Sequence, residues 1–379
     1  MKFWITELSS GSIIVPFRLW RATKVTATKA RSVPSDTQDT SITEDALSPR
    51  RRTLCLCSSD FSRPLTSLSL INSVLILLAV LAMTPISAES QSRSKTNSAF
   101  RVTAYLPDYR LATLDPARIN GVTDLIFFSL QPTPTGDLDL TRLPPLALQK
   151  LHELVKGKKT LLLVAIGGWE RSANFAPMAT NEMARKRFVH ALTQFCLDNQ
   201  LAGADFDWEQ PENPAEQQAY AKLLIATKRS FAPRHLRLTV ALAPEPALPK
   251  AGLEAADAIH LMAYDHDGQH ATEPQAELDL KTVTRLGISK KKILLGVPFY
   301  GRSVKDRNRD QTFAEIFSQS HPGPETDQVG EMYFNNIQTV QKKTRYALKN
   351  GFGGVMIWEI GQDADGPASL LEAIRQVLR

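Results

Sequence analysis

The chain has 379 residues, of which 43% are hydrophobic, so it can bury a substantial core in one large or two ordinary domains. The formal net charge is +6, but residues 1–88 hold 10 Lys and Arg against 6 Asp and Glu, which leaves 35 against 33 in the remainder. Because that remainder is near neutral and has no basic cluster interleaved with aromatic residues, nucleic acid is not an expected partner.

The spacing of cysteine and histidine indicates neither a disulfide framework nor a metal site. Cys55 and Cys57 precede a long apolar segment and only Cys196 follows it, so the later chain cannot form an internal disulfide. His266 and His270 lie close together in sequence, but no third ligand is spaced to join them. We therefore predict no metal and no other cofactor.

The first 99 residues differ in composition from the rest. Residues 1–64 are polar and lack sustained periodicity, and we interpret them as a disordered extension or as the result of a wrongly assigned start. The apolar run Ser67–Met83 predicts a secretory signal peptide over residues 65–88, with a polar linker at 89–99. The mature protein would then be secreted or periplasmic. A retained membrane anchor is the alternative, because the run is close to spanning length.

After Phe100, eight short apolar runs alternate with amphipathic segments. The predicted strands are Arg101–Leu106, Asp124–Leu130, Thr160–Gly167, Gly203–Glu209, Leu236–Leu242, Ala258–Tyr264, Lys292–Phe299 and Gly354–Trp358. The clearest predicted helices are Glu182–Asn199, Pro214–Ser230, Pro274–Leu286, Phe334–Lys349 and Ala368–Leu378. This alternation predicts an α/β fold, a (β/α)8 TIM barrel over residues 100–379. A doubly wound sheet is disfavoured, because the turn after the first strand is not glycine-rich.

The fourth predicted strand, Gly203-Ala-Asp-Phe-Asp-Trp-Glu209, carries three carboxylates two residues apart. A strand of period two places Asp205, Asp207 and Glu209 on one face and the apolar residues between them on the other. If helices cover the apolar face, the acidic face must look into an enclosed site. Like charges so close cannot all ionise cheaply, so at least one acid should keep its proton near neutral pH, as a general acid must. A solvated strand face or a cation site is the alternative.

Four segments resemble glycoside hydrolase family 18, the chitinases and their relatives. The stretch Gly203–Glu209 resembles the core of the family's D-G-x-D-x-D-x-E signature, and Ala165–Trp169 resembles its S-x-G-G strand. Met262–Asp265 resembles the M-x-Y-D strand, and Gly353–Trp358 resembles the last strand. The segments occur in the family's order, and the resemblance extends from about Phe100 to the C-terminus.

The resemblance implies hydrolysis of β-1,4 bonds beside N-acetylglucosamine in chitin or chito-oligosaccharides, with the substrate's acetamido oxygen as nucleophile and with retention of configuration. Glu209 would be the general acid and later the base, and Asp207 would hold the acetamido N–H. Asp205 would share a proton with Asp207, so that the acids titrate together. Tyr264 would donate its hydroxyl to the acetamido carbonyl. The expected substrate-binding residues are Tyr105, Phe128, Gly168, Trp169, Met262, Asp265, Arg302 and Trp358.

Several of these assignments have plainer alternatives. Trp358, expected as the apolar floor under a sugar ring, could be ordinary core, and the Tyr264 hydroxyl could simply be satisfied by Asp265. His266 and His270 are not assigned to the site.

Two positions depart from the family pattern. Ala165 replaces the serine of S-x-G-G, which implies that Asp205 lacks one hydrogen-bond donor and binds its proton more tightly. Ala202 replaces the leading aspartate of the signature, a residue of mainly structural role. Ser303–Tyr333 is too short for the α+β domain inserted in many relatives, so we expect a more open groove without that full-size insertion.

The resemblance leaves the substrate class open. The same chemistry could act on peptidoglycan or on the chitobiose core of N-glycans, and the family also includes lectins that bind chitin without cleaving it. Such lectins usually lack the acid at the position of Glu209. We expect a monomer, and no contact with membranes unless the apolar segment is retained.

Overall fold

The computed structural model describes residues 100–246 and 248–379, which belong to one compact unit. The predicted extension, signal peptide or anchor, and linker lie outside these described residues. Within them, no helix has both the length and the apolar character needed to cross a membrane.

Eight parallel strands close into a barrel, because the first strand pairs with both the second and the last. These strands are β1 Arg101–Pro107, β2 Asp124–Pro132, β4 Leu161–Gly167, β5 Gly203–Asp207, β6 Arg237–Leu242, β7 Ala258–Leu261, β8 Ile293–Pro298 and β13 Gly354–Trp358. A two-residue strand, β3 Leu138–Asp139, pairs with the end of β2 in antiparallel fashion. The prediction of a TIM barrel is confirmed.

The segment after β8 forms a small antiparallel sheet rather than a full-size domain. Its strands are β9 Tyr300–Ser303, β10 Asp310–Thr312, β11 Gln328–Val329 and β12 Met332–Tyr333, in the order β10-β9-β12-β11. This sheet places Tyr300 and Arg302 beside the loop that follows β7, where both side chains contact Asp265.

Nine α-helices lie in the described part of the chain. They are α1 Pro145–Val155, α2 Phe175–Thr180, α3 Glu182–Asp198, α4 Pro214–Phe231, α5 Lys250–Ala255, α6 Glu273–Arg285, α7 Phe313–Ser320, α8 Ile337–Lys349 and α9 Leu370–Leu378. Most of the longer helices begin where a short polar side chain accepts a hydrogen bond from a backbone N–H of the first turn. These N-cap residues are Asn181, Asn213, Thr272, Thr312, Asn336 and Ser369.

Each of the eight predicted strands overlaps a barrel strand. The main differences from the predicted bounds are the ends of β5 and β7 and the start of α8. The structure ends β5 at Asp207 and β7 at Leu261, because neighbouring strands stop pairing with them there. Glu209 and Tyr264 therefore lie in the loops that follow their strands rather than on them. Helix α8 begins at Ile337 and not at Phe334, because the Asn336 side chain caps it.

The two faces of the strands belong to two apolar layers. The larger layer fills the space between strands and helices, and in it the ring of Phe206 on β5 contacts the rings of Phe175 and Phe188. The smaller layer fills the barrel interior and includes Tyr105 and Met356. The alternation along β5 therefore buries its aromatic residue against helices and directs its carboxylates into the barrel.

Substitution of Phe206 by alanine tests this two-layer packing. The ring is fully buried, so we expect Phe206→Ala to lower the free energy of unfolding by about 3–5 kcal/mol. Leu146→Ala is the matched control, because Leu146 is 79% exposed and its removal should change stability by less than about 0.5 kcal/mol. Urea denaturation followed by circular dichroism measures both. Equal stability of the two variants would contradict the packing described.

Candidate active site

Three carboxylates lie in sequence order at the carboxyl end of β5. Asp205 and Asp207 are buried in the barrel, where they stand opposite Ala165 and Gly167 of β4. Glu209 follows in the loop and is partly exposed. Catalytic groups of TIM barrels sit at this end of the strands, so the position of these acids fits a reactive site.

Ser172 fixes the loop that carries Glu209. The backbone N–H of Glu209 donates to Ser172 Oγ at 3.1 Å. The same hydroxyl lies 3.0 Å from the carbonyl oxygen of Gly168 and 3.2 Å from that of Asp207. The loops after β4 and β5 are thereby tied together beside Glu209. Sequence reasoning did not identify Ser172, since a serine in a polar loop gives no signal of its own.

The environment of the acids favours retained protons. Burial, and after it the negative charge of Asp265, raises the pKa of Glu209 to about 7. Burial, followed by the charges of Glu209 and Asp205, holds the pKa of Asp207 well above its usual range. Near neutral pH, therefore, a partly exposed carboxyl group is poised between its acid and base forms, which is the requirement for general acid–base catalysis.

Asp205 is held by three polar side chains from other strands. Tyr105 donates its hydroxyl to Oδ2 at 2.7 Å, and Thr239 donates to Oδ1 at 2.5 Å. The ring atom Nδ1 of His260 lies 3.0 Å from Oδ1. Asp205 therefore has three polar partners although Ala165 offers it no donor, and Tyr105, expected to bind substrate, contacts this acid.

The expectation that Asp205 and Asp207 share a proton stays a prediction. The side-chain partners of Asp205 described above come from β1, β6 and β7. Among the described residues, Asp207 Oδ1 is buried without a hydrogen-bond partner. Asp207 therefore has an unused polar atom inside the site, and its coupling to Asp205 is electrostatic.

Tyr264 presents a hydroxyl whose protein partner is weak. Its oxygen lies 3.9 Å from the sulfur of Met356, and this is not the bond to Asp265 that was the plainer alternative. Burial, and next the charge of Asp265, raises the pKa of Tyr264 well above its usual value. The hydroxyl therefore keeps its proton and remains able to donate it in a stronger hydrogen bond. Met262, two residues earlier, is partly buried against the apolar layer inside the barrel.

Asp265 is kept ionised by a group of partners around Oδ1. The hydroxyl of Tyr300 donates to it, Arg302 Nη1 lies at 3.0 Å and His270 Nδ1 at 3.5 Å. Burial alone would raise the pKa of Asp265, but the nearby imidazole of His270, the charge of Arg302 and the hydrogen bond from Tyr300 together lower it. Asp265 therefore provides a fixed negative charge that acts on Glu209.

Aromatic rings line the barrel beside the acids. Trp358, at the end of β13, is only partly buried, and its ring centroid lies 4.8 Å from that of Phe128 and 5.5 Å from that of Tyr105. Gly168 makes room for this group, because a Cβ there would lie 2.1 Å from Phe128 Cζ. Its φ of +100° also favours glycine. Trp169 follows directly and is 55% exposed.

The structure thus brings most of the predicted residues to one end of the barrel. Tyr105, Phe128, Tyr264, Met262 and Trp358 belong to one apolar layer. Asp205 contacts this group through the hydroxyl of Tyr105. Glu209 is linked to Asp265 by the charge of that residue and to Gly168 through the hydroxyl of Ser172. Arg302 contacts Asp265 and so lies beside the site. Trp169 directly follows Gly168 in the chain.

Sequence reasoning missed several residues of the site, His260, Thr239, Tyr300 and His270 among them. Period-two alternation on β7 was the available signal for His260, because Ile259 and Leu261 pack in the outer layer and His260 between them faces the barrel interior. His266 lies 2.9 Å from Asp279. Among the described residues, no group of three or more His, Cys, Asp or Glu side chains could hold a metal ion.

Comparisons with known proteins agree with this geometry. The family model "Glycosyl hydrolases family 18" matches residues 101–363. "Probable chitinase 10" of Drosophila melanogaster is 25% identical over 300 residues, which is 59% of this chain and 13% of that protein. The chain thus spans a small part of that relative.

Two solved structures share the barrel. The family 18 chitinase ChiB of Flavobacterium johnsoniae superposes with a TM-score of 0.64 at 25% identity, over 73% of this chain and 93% of that one. A chitinase-like agglutinin of Robinia pseudoacacia superposes with the same score at 21% identity, over 73% of this chain and 99% of that one. The barrel itself therefore does not separate cleavage from binding.

Removal of the charge at Asp265 tests the electrostatics of the site. We expect Asp265→Asn to bring the pKa of Glu209 below about 7, because one of its two raising influences is lost. Asp267→Asn is the matched control, since Asp267 lies on the same loop, is 87% exposed and pairs with Arg307. NMR titration of ¹³C-labelled glutamate carboxyl groups measures the shift. An unchanged Glu209 pKa in Asp265→Asn would show that burial alone sets it.

Proposed function

The chain belongs to glycosyl hydrolase family 18, and from this premise we propose that it hydrolyses β-1,4-N-acetylglucosamine linkages in chitin or chito-oligosaccharides. The observation that carries the proposal is Glu209, a partly exposed carboxyl group with a pKa of about 7 at the mouth of the barrel. The names of the relatives support the substrate class, since they describe chitinases.

Glu209 is suited to both halves of a retaining reaction. In its acid form it protonates the leaving glycosidic oxygen, while the substrate's own acetamido oxygen attacks the anomeric carbon. The resulting carboxylate then takes a proton from water, and the water oxygen attacks the anomeric carbon of the cyclic oxazolinium intermediate from the face that the leaving group vacated. Two displacements at one carbon give retention of configuration.

Asp207 and Tyr264 are the groups that would hold the acetamido substituent. Asp207 Oδ1 is buried and has no hydrogen-bond partner among the described residues, so it can accept the acetamido N–H, which fixes the carbonyl oxygen toward the anomeric carbon. The Tyr264 hydroxyl, whose partner within residues 100–246 and 248–379 is the Met356 sulfur, can donate to that carbonyl. Each group offers the polar atom that the acetamido group needs, so both would favour the cyclised intermediate.

The aromatic group supplies the surface for the sugar ring. Trp358 is partly exposed and is supported from behind by Phe128 and Tyr105, so its position is fixed before substrate binds. Trp169, Gly168 and Arg302 lie in or beside the loops around this floor, and we propose that they contact further sugar units. For residues 65–88 we propose export, which would bring the enzyme to extracellular chitin.

The presence of Glu209 favours hydrolysis over lectin-like binding. A protein that only binds sugar has no use for a carboxyl group that retains its proton at neutral pH in the mouth of the barrel. Strongly shifted carboxyl pKa values cluster at catalytic sites, so the raised pKa of Glu209 supports a role in proton transfer.

Substitution of Glu209 tests the proposed reaction. Glu209→Gln keeps the shape but cannot exchange a proton, so we expect kcat to fall by several orders of magnitude on N-acetylchitobioside and chitotrioside with fluorescent leaving groups. Glu212→Gln is the matched control, because Glu212 is exposed in the same loop and should leave kcat unchanged.

The same assay separates the competing functions. Tight binding of chito-oligosaccharides by calorimetry without hydrolysis in the unmodified protein would indicate a lectin. Cleavage of glucose polymers, which lack the acetamido group, would contradict the substrate-assisted mechanism. Faster cleavage of peptidoglycan or of an N-glycan chitobiose core would keep the mechanism and change the substrate.

The pH dependence of kcat/KM follows from the pKa of Glu209 in the free protein. The acid form is required for leaving-group protonation, and it is lost as the pH rises through about 7. We therefore expect kcat/KM to fall about tenfold per pH unit on the alkaline side of this value, with full activity below it until a second group is protonated. Steady-state kinetics from about pH 4 to 9 measure the profile. A constant kcat/KM between about pH 6 and 9 would exclude Glu209 as the acid.

A further inference from the structure

A histidine lies buried beneath the proposed catalytic acids. His260 is on β7 and only 1% exposed, inside the barrel rather than in the outer layer. Its Nδ1 atom lies 3.0 Å from Asp205 Oδ1 and 3.0 Å from the Tyr105 hydroxyl oxygen. Burial of an imidazole is unfavourable unless its polar ring atoms form hydrogen bonds, so Nδ1 is expected to form one with Asp205 or Tyr105.

The geometry determines where a proton must lie. Tyr105 donates its hydroxyl to Asp205 Oδ2 at 2.7 Å, which is closer than its distance to the histidine ring. A lone pair on Nδ1 facing a carboxylate oxygen at 3.0 Å would be repulsive. A proton therefore lies between His260 Nδ1 and Asp205 Oδ1. Because both oxygens of Asp205 already accept hydrogen bonds, from Tyr105 and from Thr239, we assign the ring nitrogen as the donor.

The neighbouring strands explain why this donor matters in this chain. Residues paired on adjacent strands point to the same side, so Asp205 has Ala165 of β4 on one flank and Thr239 of β6 on the other. Thr239 donates a hydrogen bond and the methyl group of Ala165 cannot. His260 supplies the further donor to Asp205 from β7, two strands away.

We propose that His260 is a positioning residue for the reaction, which donates a hydrogen bond to Asp205 and holds it as an oriented anion below Asp207. This inference rests on the proposed function. The fixed charge of Asp205 keeps the proton on Asp207, and the carboxyl group of Asp207 is thereby oriented for the acetamido substituent. His260 does not touch the substrate, and it acts through Asp205.

Substitutions at position 260 can separate donation from simple space filling. In His260→Asn the amide nitrogen can occupy the place of Nδ1 and still donate, whereas His260→Leu fills similar space without a donor. Loss of a hydrogen bond to a charged group corresponds to about a 10- to 100-fold change, so we expect kcat of His260→Leu to fall by about that factor with KM nearly unchanged. His260→Asn should keep most of the activity.

A second substitution provides rescue from the opposite flank. A serine at position 165 would point to the same side as Asp205 and offer the missing hydroxyl, so Ala165→Ser should restore kcat of His260→Leu to within a few-fold of the unmodified protein. His152→Leu is the matched control, because His152 lies on α1 and contacts the carbonyl oxygen of Asn199. Its kcat should not change.

The measurements are kcat and KM on the fluorescent chitobioside, with the melting temperature and oligosaccharide affinity of each variant. Unchanged kcat in His260→Leu, equal loss in the Asn and Leu variants, or no rescue by Ala165→Ser would each overturn the inference. If His260→Leu does not fold, His260→Gln replaces it, because its amide reaches the place of Nε2 and not of Nδ1. An inactive unmodified protein would instead refute the proposed function.

Discussion

The structure depends on the burial of like charges at one end of β5. Asp205 and Asp207 lie inside the barrel with Glu209 just beyond them. Burial and the charges of its two neighbours raise the pKa of Asp207, and burial and the charge of Asp265 raise that of Glu209. A fold driven by apolar burial alone would not accept this arrangement, because each carboxyl group must be ionised with partners or protonated. Both states occur here: the acid deepest in the barrel has hydrogen-bond partners, and the acids nearer the mouth retain protons.

The deepest acid is stabilised by partners and the outer acids by their protons. Asp205 is surrounded by donors from β1, β6 and β7, while within the described residues Asp207 Oδ1 has no partner. Asp265, beside the site, is likewise stabilised by partners, because Tyr300 and Arg302 of the small sheet after β8 contact its carboxylate. The fixed anions therefore frame the groups that can exchange a proton, and this contrast in environment assigns their roles.

The sequence predicted the barrel well, because parallel strands covered by helices are continuous apolar runs that need no knowledge of their neighbours. The motif residues were also found, since their spacing is local. The partners of Asp205 were not predicted, because they are distant in sequence. Tyr105 is 100 residues from Asp205, and Tyr105 and His260, which contact each other, are 155 residues apart. Only closure of the barrel brings these strands together. The ends of β5 and β7 were missed for a related reason, since a strand ends where its neighbours stop pairing.

The same reasoning explains why one departure from the family pattern need not abolish the site. The alanine at position 165 removes a donor on one flank of Asp205, but the requirement is a proton beside the buried carboxylate, whatever strand provides it. A histidine on β7 meets that requirement across the barrel, because the interior is narrow enough for side chains of non-adjacent strands to touch. The constraint therefore acts on the hydrogen-bond shell of Asp205 as a whole, and single motif positions can vary when another strand supplies the donor.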